Sequence, residues 1–431
     1  MKSLREIVYG NKILSAFNRL RIAFRLCFIV EWPSVLCLRI RYRRRLSRIR
    51  STYGHRKLRV IFPVSNVAKW KEQSLYDLMK ASDKYEPIVA LTVMDIENDL
   101  PESDKINRLD ENKRFFIGRG CAFVVAYSVS EKKSIPFSEF NADIVWYTQP
   151  WRIPVVQDCL ESSRTVLCCY TPYYLQNYGC LDMECGITFM RSVWRNFAMN
   201  ADWAKVCEKY QGFRRAGRSV GLGHTMIDEF YLTRNDDHKK NYVIYAPHWS
   251  CDVGECFSTF LLNGKKILKL AQQYPELHWV FKPHPTLRST LVNSCGWTRN
   301  EVDEYYAAWA NIGETCYDGN YVDLFNNSRV MITDCGSFLV EYPCTGNPIV
   351  HLVSSKSKYE THPISKELFG TYYQAHTWEE FITQFKRVVL NGDDYKKEER
   401  LEAVRKMKLM DNYAARNILD YLDGVFKGHK K

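Results

Sequence analysis

Three short segments in the second half of the chain combine residue types that can bind a phosphate group. They read Tyr-Ala-Pro-His-Trp-Ser at 245–250, Phe-Lys-Pro-His-Pro at 281–285 and Ile-Thr-Asp-Cys-Gly-Ser-Phe-Leu-Val-Glu-Tyr at 332–342. A lysine cation and a histidine at such a site would neutralise the charge that builds on a departing phosphate. The candidate anion-binding residues are His248, Lys282, His284, Gly336, Ser337 and Glu341.

The third segment predicts a strand that ends at Thr333, a turn and then a helix that begins near Phe338. Gly336 lets the backbone approach a ligand closely, and the first amides of a helix are donors that favour an anion. Ser337 adds a hydroxyl, and Asp334 is expected to fix the turn or to bind a hydroxyl group. The alternative is that Asp334 and Ser337 only cap the helix.

The two histidine segments also have structural alternatives. Pro283 and Pro285 are expected to rigidify the end of the strand and to hold Lys282 and His284 in place. The alternative is that Lys282 is an ordinary surface lysine and His284 an ordinary turn histidine. His248 could equally be a packing histidine beside its neighbouring tryptophan. The case for a phosphate site therefore depends on the three segments meeting in space.

Glycine-rich residues 220–224 (Val-Gly-Leu-Gly-His), with Asp228 four positions later, are either a ligand-binding turn or a hinge between domains. A lone Gly-x-Gly is a weak signal. No acidic cluster ends a predicted strand, since Asp236 and Asp237 fall in a polar break that is typical of a solvated loop. A metal-independent mechanism without a cofactor is therefore expected.

The elements that must position these residues follow a strand–helix alternation. Continuous apolar runs, typical of parallel strands covered on both faces, occupy 58–64, 87–93, 121–127, 143–147, 165–170, 242–246, 278–282, 329–333 and 348–353. The pattern predicts an α/β protein with two Rossmann-like parallel-sheet lobes that face each other across a cleft. The carboxyl ends of the strands would then bring the three segments to one edge. The expected divisions are a basic segment at 1–57, lobes at 58–233 and 234–400, and a C-terminal helix at 401–431.

The basic character of the chain is concentrated at its start. Residues 1–57 contain fifteen Lys and Arg against two Glu, which accounts for the net charge of +12 of the whole chain. Two apolar stripes at helical spacing run through this segment, interrupted near Pro33. Such a basic amphipathic segment favours peripheral binding to an anionic membrane. The alternatives are a helix that packs on the protein body and an arm that binds nucleic acid. The stripes consist of Ile13, Phe17, Leu20 and Phe24, then Val35, Leu38, Tyr42, Leu46 and Ile49.

Fifteen cysteines are scattered without a Cys-x-x-Cys pair or zinc-site spacing. A disulfide framework is not expected in so large a chain, so the cysteines are interpreted as reduced, mostly buried thiols. The apolar content of 46% excludes wholesale disorder.

The three segments, in this order, resemble the CDP-glycerol glycerophosphotransferase family, which builds teichoic-acid-like polyol-phosphate polymers. The resemblance is clearest over residues 216–400 and includes the glycine-rich turn with its downstream Asp228. It implies a GT-B-like fold, association with the cytoplasmic face of the membrane, and attack by a lipid-linked or polymer hydroxyl on a CDP-activated phosphate. His284, Ser337 and Asp334 would lie near the donor, and CMP would leave without help from a metal.

The first lobe departs from the family pattern. Family members carry a His-Gly motif there whose histidine is taken as the base, but the matching strand, Thr-Val-Leu-Cys-Cys-Tyr-Thr-Pro-Tyr-Tyr-Leu at 165–175, contains no histidine. Of the two histidines in the first 230 residues, His55 and His224, the second is the candidate base. The candidate catalytic residues are therefore His224, His284 and Asp334. Lys69, Trp70, Trp151 and Arg152 are expected to face the cleft, where they touch the acceptor or cover the sheet.

Two other functions are consistent with the same residues. A GT-B glycosyltransferase that uses a CMP-sugar or another nucleotide-sugar for capsule or lipopolysaccharide synthesis would also use a His-Pro pair and a downstream serine. A non-catalytic nucleotide-binding relative would keep the membrane segment and the nucleotide site. The expected partners are a CDP-activated polyol donor, a lipid-linked or polymer acceptor and an anionic membrane surface, with no nucleic acid.

Overall fold

The computed structural model describes residues 31–93, 101–151, 153–176, 185–212, 215–233, 240–251, 257–315, 321–356, 362–409 and 413–428. The expectations for the first apolar stripe (residues 13–24), for Arg152 and for Asp236 and Asp237 concern residues outside these ranges. The cysteines within them are free thiols, most of them buried.

The first lobe is built on a parallel sheet of seven strands. Its elements are α1 (Glu31–Thr52), β1 (Leu58–Val64), α2 (Gln73–Ala81), β2 (Tyr85–Leu91), α3 (Glu102–Gly118), β3 (Phe123–Val125), β4 (Tyr127–Ser128), β5 (Lys133–Ser134), β6 (Ile144–Tyr147), α4 (Cys159–Ser162), β7 (Leu167–Tyr170), α5 (Thr188–Ser192), β8 (Arg195–Ala198), α6 (Ala201–Gln211), β9 (Arg218–Gly221) and α7 (Thr225–Leu232). The strand order is β3-β2-β1-β6-β7-β8-β9, and β4 and β5 form a separate antiparallel pair. Short 3-10 turns lie at Val67–Lys69, Phe137–Phe140 and Val155–Gln157.

The second lobe has a parallel sheet of six strands. Its elements are β10 (Tyr242–Ala246), α8 (Phe260–Gln273), β11 (Trp279–Phe281), α9 (Leu287–Asn293), α10 (Arg299–Ala310), β12 (Glu314–Thr315), α11 (Tyr321–Asn326), β13 (Ser328–Thr333), α12 (Phe338–Glu341), β14 (Ile349–Leu352), α13 (Pro363–Gly370), β15 (Tyr373–Ala375), α14 (Trp378–Gln384), α15 (Lys397–Lys406) and α16 (Ala414–Phe426). The order is β12-β11-β10-β13-β14-β15. A 3-10 turn at Tyr342–Thr345 follows α12, and a π-helical turn at Phe385–Leu390 follows α14.

These sheets confirm the predicted fold class of two Rossmann-like lobes. The central strands β6 and β10 are buried at every residue, which is why they appear in the sequence as unbroken apolar runs. In the first sheet the strand order reverses between β1 and β6, and in the second between β10 and β13. Ligands of open parallel sheets bind at the carboxyl ends of the strands beside such a reversal.

Helix α1 packs its apolar stripe on the first lobe. Leu38, Tyr42 and Ile49 are buried in the core of that lobe, and the Tyr42 hydroxyl donates to the carbonyl of Ser192 at 2.7 Å. Pro33 lies within the described helix, which continues past it to Thr52, so it does not interrupt this stretch. For residues 35–49 the structure thus matches the alternative of a helix that packs on the protein body.

Helix α16 returns from the second lobe and packs on α1 and α2 of the first lobe. Its Asp423 accepts hydrogen bonds from Tyr53 and Tyr85 and pairs with Lys84 at 2.8 Å. Helix α7 contacts α2 and α16 on one side and α11 on the other. The two lobes therefore share a packed interface beside the edge where their strands end.

Candidate functional site

The three predicted segments follow neighbouring strands of the second sheet. His248 lies after β10, Lys282 directly after β11, and Asp334 directly after β13. Their convergence is visible in two contacts, since the amide of His284 donates to the carbonyl of Pro247 at 3.1 Å and the amide of His248 donates to Asp334 at 2.6 Å. The segments therefore meet at the strand-order reversal of the second lobe.

The imidazole rings of His248 and His284 are adjacent, with centroids 5.3 Å apart. Trp249 flanks both rings, at 5.6 Å from His248 and 6.1 Å from His284. Phe257 packs edge-on against His248 at 5.4 Å. Both rings are half-buried, and partial desolvation by these neighbours lowers the pKa of His248 to about 3 and that of His284 to about 4.

The two histidines share one hydrogen-bonding arrangement. Nδ1 of His248 lies 2.8 Å from the Ser250 hydroxyl and accepts the Ser250 amide at 3.3 Å. Nδ1 of His284 lies 2.9 Å from the Thr286 hydroxyl and accepts the Thr286 amide at 3.3 Å. Because an amide can only donate, Nδ1 is the acceptor and Nε2 carries the proton in a neutral ring. Each histidine thus has an N–H donor for an anion without being a cation itself.

Asp334 is buried and both of its oxygens are engaged. Oδ1 accepts the amide of His248, while Oδ2 accepts the amide of Thr259 at 2.6 Å and its hydroxyl at 2.9 Å. Burial raises the pKa of Asp334 to about 6, although these donors oppose the shift. The contacts are those of a residue that positions the His248 loop and the start of α8. They do not support the predicted contact between Asp334 and the reacting groups.

The turn after β13 differs from the expected helix start. Helix α12 spans only Phe338–Glu341 before a 3-10 turn takes over, so its dipole is much weaker than that of a long helix. Ser337 has helical backbone angles and makes no capping hydrogen bond with its side chain, whose Oγ lies 3.5 Å from Cys335 Sγ. Gly336 is buried beside it. The turn adjoins the histidine pair, but it does not form the predicted long-helix phosphate site.

Glu341 lies deeper than the sequence suggests. Its carboxylate accepts the Tyr321 hydroxyl at 2.6 Å, and burial raises its pKa to about 7, opposed by Lys71, by Tyr321 and by Lys282. Lys282 is 4% exposed, and its ammonium group lies 5.3 Å from the centre of the Tyr321 ring and 5.7 Å from that of Phe338. The predicted residues Lys282 and Glu341 are therefore both gathered around Tyr321.

His224 occupies a place that does not suit the predicted base. Its ring is fully buried, Nδ1 accepts the amide of Met226 at 3.2 Å as the cap of α7, and Nε2 lies 2.5 Å from the carbonyl oxygen of Pro172. Because a carbonyl only accepts, Nε2 carries the proton. Burial lowers the pKa of His224 to about 4. Both nitrogens are engaged in holding the start of α7 against the loop after β7, so neither can receive a proton from an acceptor hydroxyl in this structure.

The glycine-rich turn also has a structural role. Gly221 ends strand β9, and a Cβ there would lie 2.2 Å from the backbone of Asn200. Asp228 accepts the amides of Ala414 and Ala415, each at 2.8 Å, and thereby caps α16. The turn and the helix after it thus pack the end of the first lobe against α16.

The loop after β1 contains a residue that sequence reasoning missed. Lys71 is 3% exposed, and its ammonium group lies 4.0 Å from the centre of the Tyr321 ring of the other lobe. The two residues singled out instead lie elsewhere: Trp70 packs in the core, and Lys69 donates to Gln149 at 2.7 Å. In the sequence, Lys71 is marked only as the second lysine of Lys-Trp-Lys at 69–71, in the loop after β1.

Aromatic residues cluster at the carboxyl edge of the first sheet. Trp151 stacks on Tyr174 with ring centroids 6.1 Å apart and contacts Tyr173 edge-on at 6.3 Å. Lys69 lies 5.5 Å from the centre of the Tyr173 ring. Trp151 is partly exposed, so this cluster offers a surface at the edge that faces the second lobe. Within the described ranges, no group of three or more His, Cys, Asp or Glu residues gathers as a metal site.

Comparisons with known proteins agree with this architecture. Residues 227–424 match the family CDP-Glycerol:Poly(glycerophosphate) glycerophosphotransferase. Two solved variants of the wall teichoic acid polymerase TagF are similar to this chain at 14% and 12% identity, with TM-scores of 0.52 and 0.53; the alignments cover 92% of this chain and 98% of each TagF chain. No curated protein sequence matches significantly.

Other solved structures share the fold. A UDP-N-acetylglucosamine 2-epimerase from Listeria monocytogenes is 12% identical with a TM-score of 0.57, covering 87% of this chain and 98% of that chain. MnaA from S. aureus, solved with UDP, is 15% identical with a TM-score of 0.52, and the alignment covers 86% of this chain and 96% of the MnaA chain. At these identities the likeness shows a GT-B-like fold alone. The family match is more specific, and through residues 227–424 the chain carries a domain of the CDP-glycerol:poly(glycerophosphate) glycerophosphotransferase family.

Proposed function

We propose that this protein transfers glycerol phosphate, or a related polyol phosphate, from a CDP-activated donor to a hydroxyl of a lipid-linked or polymer acceptor in cell-surface polymer synthesis. The observation that carries the proposal is the meeting of His248, His284 and Lys282 at the strand-order reversal of the second lobe. Two neutral N–H donors and one cation suit a diphosphate, because charge-assisted hydrogen bonds to phosphate are strong.

In the proposed reaction, the oxygen of the acceptor hydroxyl forms a bond to the phosphorus that carries the polyol. The bond between that phosphorus and the bridging oxygen breaks, CMP leaves with the bridging oxygen, and the hydroxyl proton passes to a base or to solvent. His284 and Lys282 stabilise the charge that accumulates on the departing phosphate. Asp334 holds the His248 loop in place through the amide hydrogen bond.

The acceptor is proposed to approach along the first lobe. The partly exposed Trp151 and its neighbours Tyr173 and Lys69 present an aromatic and cationic surface at the carboxyl edge of that sheet. A polyol-phosphate chain carries hydroxyl groups and negative charges, which such a surface can bind.

No described helix is both long enough and apolar enough to cross a membrane.

Peripheral membrane association is proposed to use the outward face of α1. Arg43, Arg44 and Arg48 are exposed there, as are Leu36 and Ile40 one or two turns earlier. Exposed arginines are attracted to anionic lipid by roughly 1 kcal/mol each. Sedimentation with phosphatidylcholine vesicles, with and without phosphatidylglycerol, tests this idea. Replacing the three arginines by alanine should abolish binding to the anionic vesicles, and unchanged binding would reject this face.

Incubation of the purified protein with CDP-glycerol and an acceptor tests the transfer reaction. Release of CMP and growth of the acceptor are expected, whereas a panel of CMP-sugars and UDP-sugars should give no product. His284→Ala should lose turnover, and His278→Ala, which removes an exposed histidine of the same lobe, should not. Turnover of a nucleotide-sugar but not of CDP-glycerol would favour the glycosyltransferase alternative. Turnover of no donor would favour the non-catalytic one.

A further inference from the structure

Two buried lysines from different lobes meet at one aromatic ring. The ammonium groups of Lys71, from the loop after β1, and Lys282, from the end of β11, lie 4.0 and 5.3 Å from the centre of the Tyr321 ring. Both side chains are almost completely buried. Because β1 and β11 end at facing edges of the two sheets, the pair spans the interface of the lobes at the candidate site.

Neither ammonium group has an ion pair or a hydrogen bond within the part of the chain that the structure describes. Burial lowers the pKa of Lys71, and the nearby charge of Lys282 lowers it further. Glu341 and Glu229 act in the opposite direction, but burial raises the pKa of both carboxyl groups, to about 7 for Glu341, so at neutral pH they supply only part of the counter-charge. Burying two like charges whose counter-charge is incomplete is costly. A bound anion would offset that cost.

We propose that Lys71 is the contact of the first lobe to the donor's diphosphate, which it shares with Lys282 of the second lobe. This inference rests on the proposed function for the identity of the donor. Lys282 is close enough to His284 to lower its pKa, so a diphosphate bound at the histidine pair would meet Lys282 from the second lobe and Lys71 from the first. A donor held by both lysines then lies at the packed interface of the two lobes, where water is excluded from the reacting phosphate.

A purely structural role is the competing explanation. Lys71 lies over the Tyr321 ring, and a desolvated cation–π contact could fasten the lobes without a ligand. The two roles differ in a measurable way. A fastening lysine stabilises the free protein, whereas an anion-binding lysine destabilises it until the ligand arrives.

The test compares Lys71→Met with the wild type and with Lys80→Met, which removes an exposed lysine of α2. Methionine keeps the length and packing of the side chain but removes the charge. Calorimetry with CDP-glycerol, with inorganic pyrophosphate and with cytidine separates the diphosphate contribution from that of the nucleoside. Thermal unfolding of each free protein measures the structural role.

We expect Lys71→Met to weaken the binding of CDP-glycerol and of pyrophosphate by about tenfold or more. Its affinity for cytidine and its Tm should not fall, and Lys80→Met should match the wild type. Equal affinities of Lys71→Met and wild type for both diphosphates would overturn the inference, as would a lower Tm accompanied by weaker cytidine binding. If the wild type binds pyrophosphate through Lys71 but never turns over CDP-glycerol, the inference stands and the proposed function fails.

Discussion

The carboxylate of Asp334 accepts the backbone amide of His248 at 2.6 Å, so a residue after β13 sets the position of a residue after β10. The same carboxylate accepts the amide and the hydroxyl of Thr259 at the start of α8. One buried side chain therefore joins the loop after β13 to both ends of the connection between β10 and α8, beside the strand-order reversal. This relationship explains why an aspartate is needed at that position even though it has no free oxygen for a substrate.

Replacement of Asp334 by alanine should destabilise the fold. It leaves two buried amides and one hydroxyl without an acceptor, which we expect to lower the free energy of unfolding by about 3 kcal/mol. Urea unfolding measures the loss, with Asp303→Ala as the control, since Asp303 forms an exposed ion pair with Arg288. Equal stability of Asp334→Ala and the control would show that the junction of these two loops does not depend on this carboxylate.

His248 and His284 should both titrate well below neutral pH. Burial lowers the pKa of His248 to about 3 and that of His284 to about 4, so the unfolded chain takes up protons first as the pH falls below about 6.5. Their contribution to stability is therefore complete above that pH and is lost as the pH falls towards 4. Nitrogen-15 NMR of the histidine rings should report the Nε2–H tautomer at pH 7. A cationic ring or the Nδ1–H tautomer at that pH contradicts this assignment.

The role of His224 is tested by a variant that keeps its hydrogen bond to α7. Asparagine is a good helix cap, so His224→Asn should retain most of the turnover while losing about 1 kcal/mol of stability through the missing contact to Pro172. Steady-state kinetics and thermal unfolding, measured together, decide the question. A fall in kcat of about a thousandfold with an unchanged Tm would restore His224 as the base.

Glu72 provides a pH-dependent test of the packing between α2 and α7. This carboxyl group is fully buried without a hydrogen bond, and burial raises its pKa to about 8. The unfolded chain ionises first, so Glu72 costs stability as the pH rises from about 4.5 to about 8. The side chain of Glu72→Gln stays neutral, so the free energy of unfolding of the variant should rise relative to that of the wild type by about 3 kcal/mol between pH 5 and pH 8. If the difference in unfolding free energy between the two proteins does not change with pH, Glu72 is solvated in solution.

The sequence predicts the fold well where burial is complete. Strands β1 and β10 are continuous apolar runs, and their predicted bounds match those of the structure. Strands β8 (Arg195–Ala198) and β9 (Arg218–Gly221) lie towards the edge of the first sheet, begin with arginine and carry too few apolar residues to stand out. Their pairing depends on tertiary contacts, which local periodicity does not record.

The sequence predicts which loops of the site meet, but not the individual side-chain contacts within it. The rule that parallel strands end at one edge correctly brings His248 and His284 together. The same rule cannot show that Asp334 would accept two amides, or that α12 would end after one turn. The contact of Lys71 with Tyr321 joins residues of different lobes, and no spacing along the chain encodes it.

The position of a bound diphosphate tests the central claim most directly. A crystal structure with CDP should place its phosphates within hydrogen-bonding distance of Nε2 of His284 and Nζ of Lys282, at the carboxyl edge of the second sheet. A diphosphate bound at any other place, with the His248–His284 pair left in contact with water alone, would contradict the account.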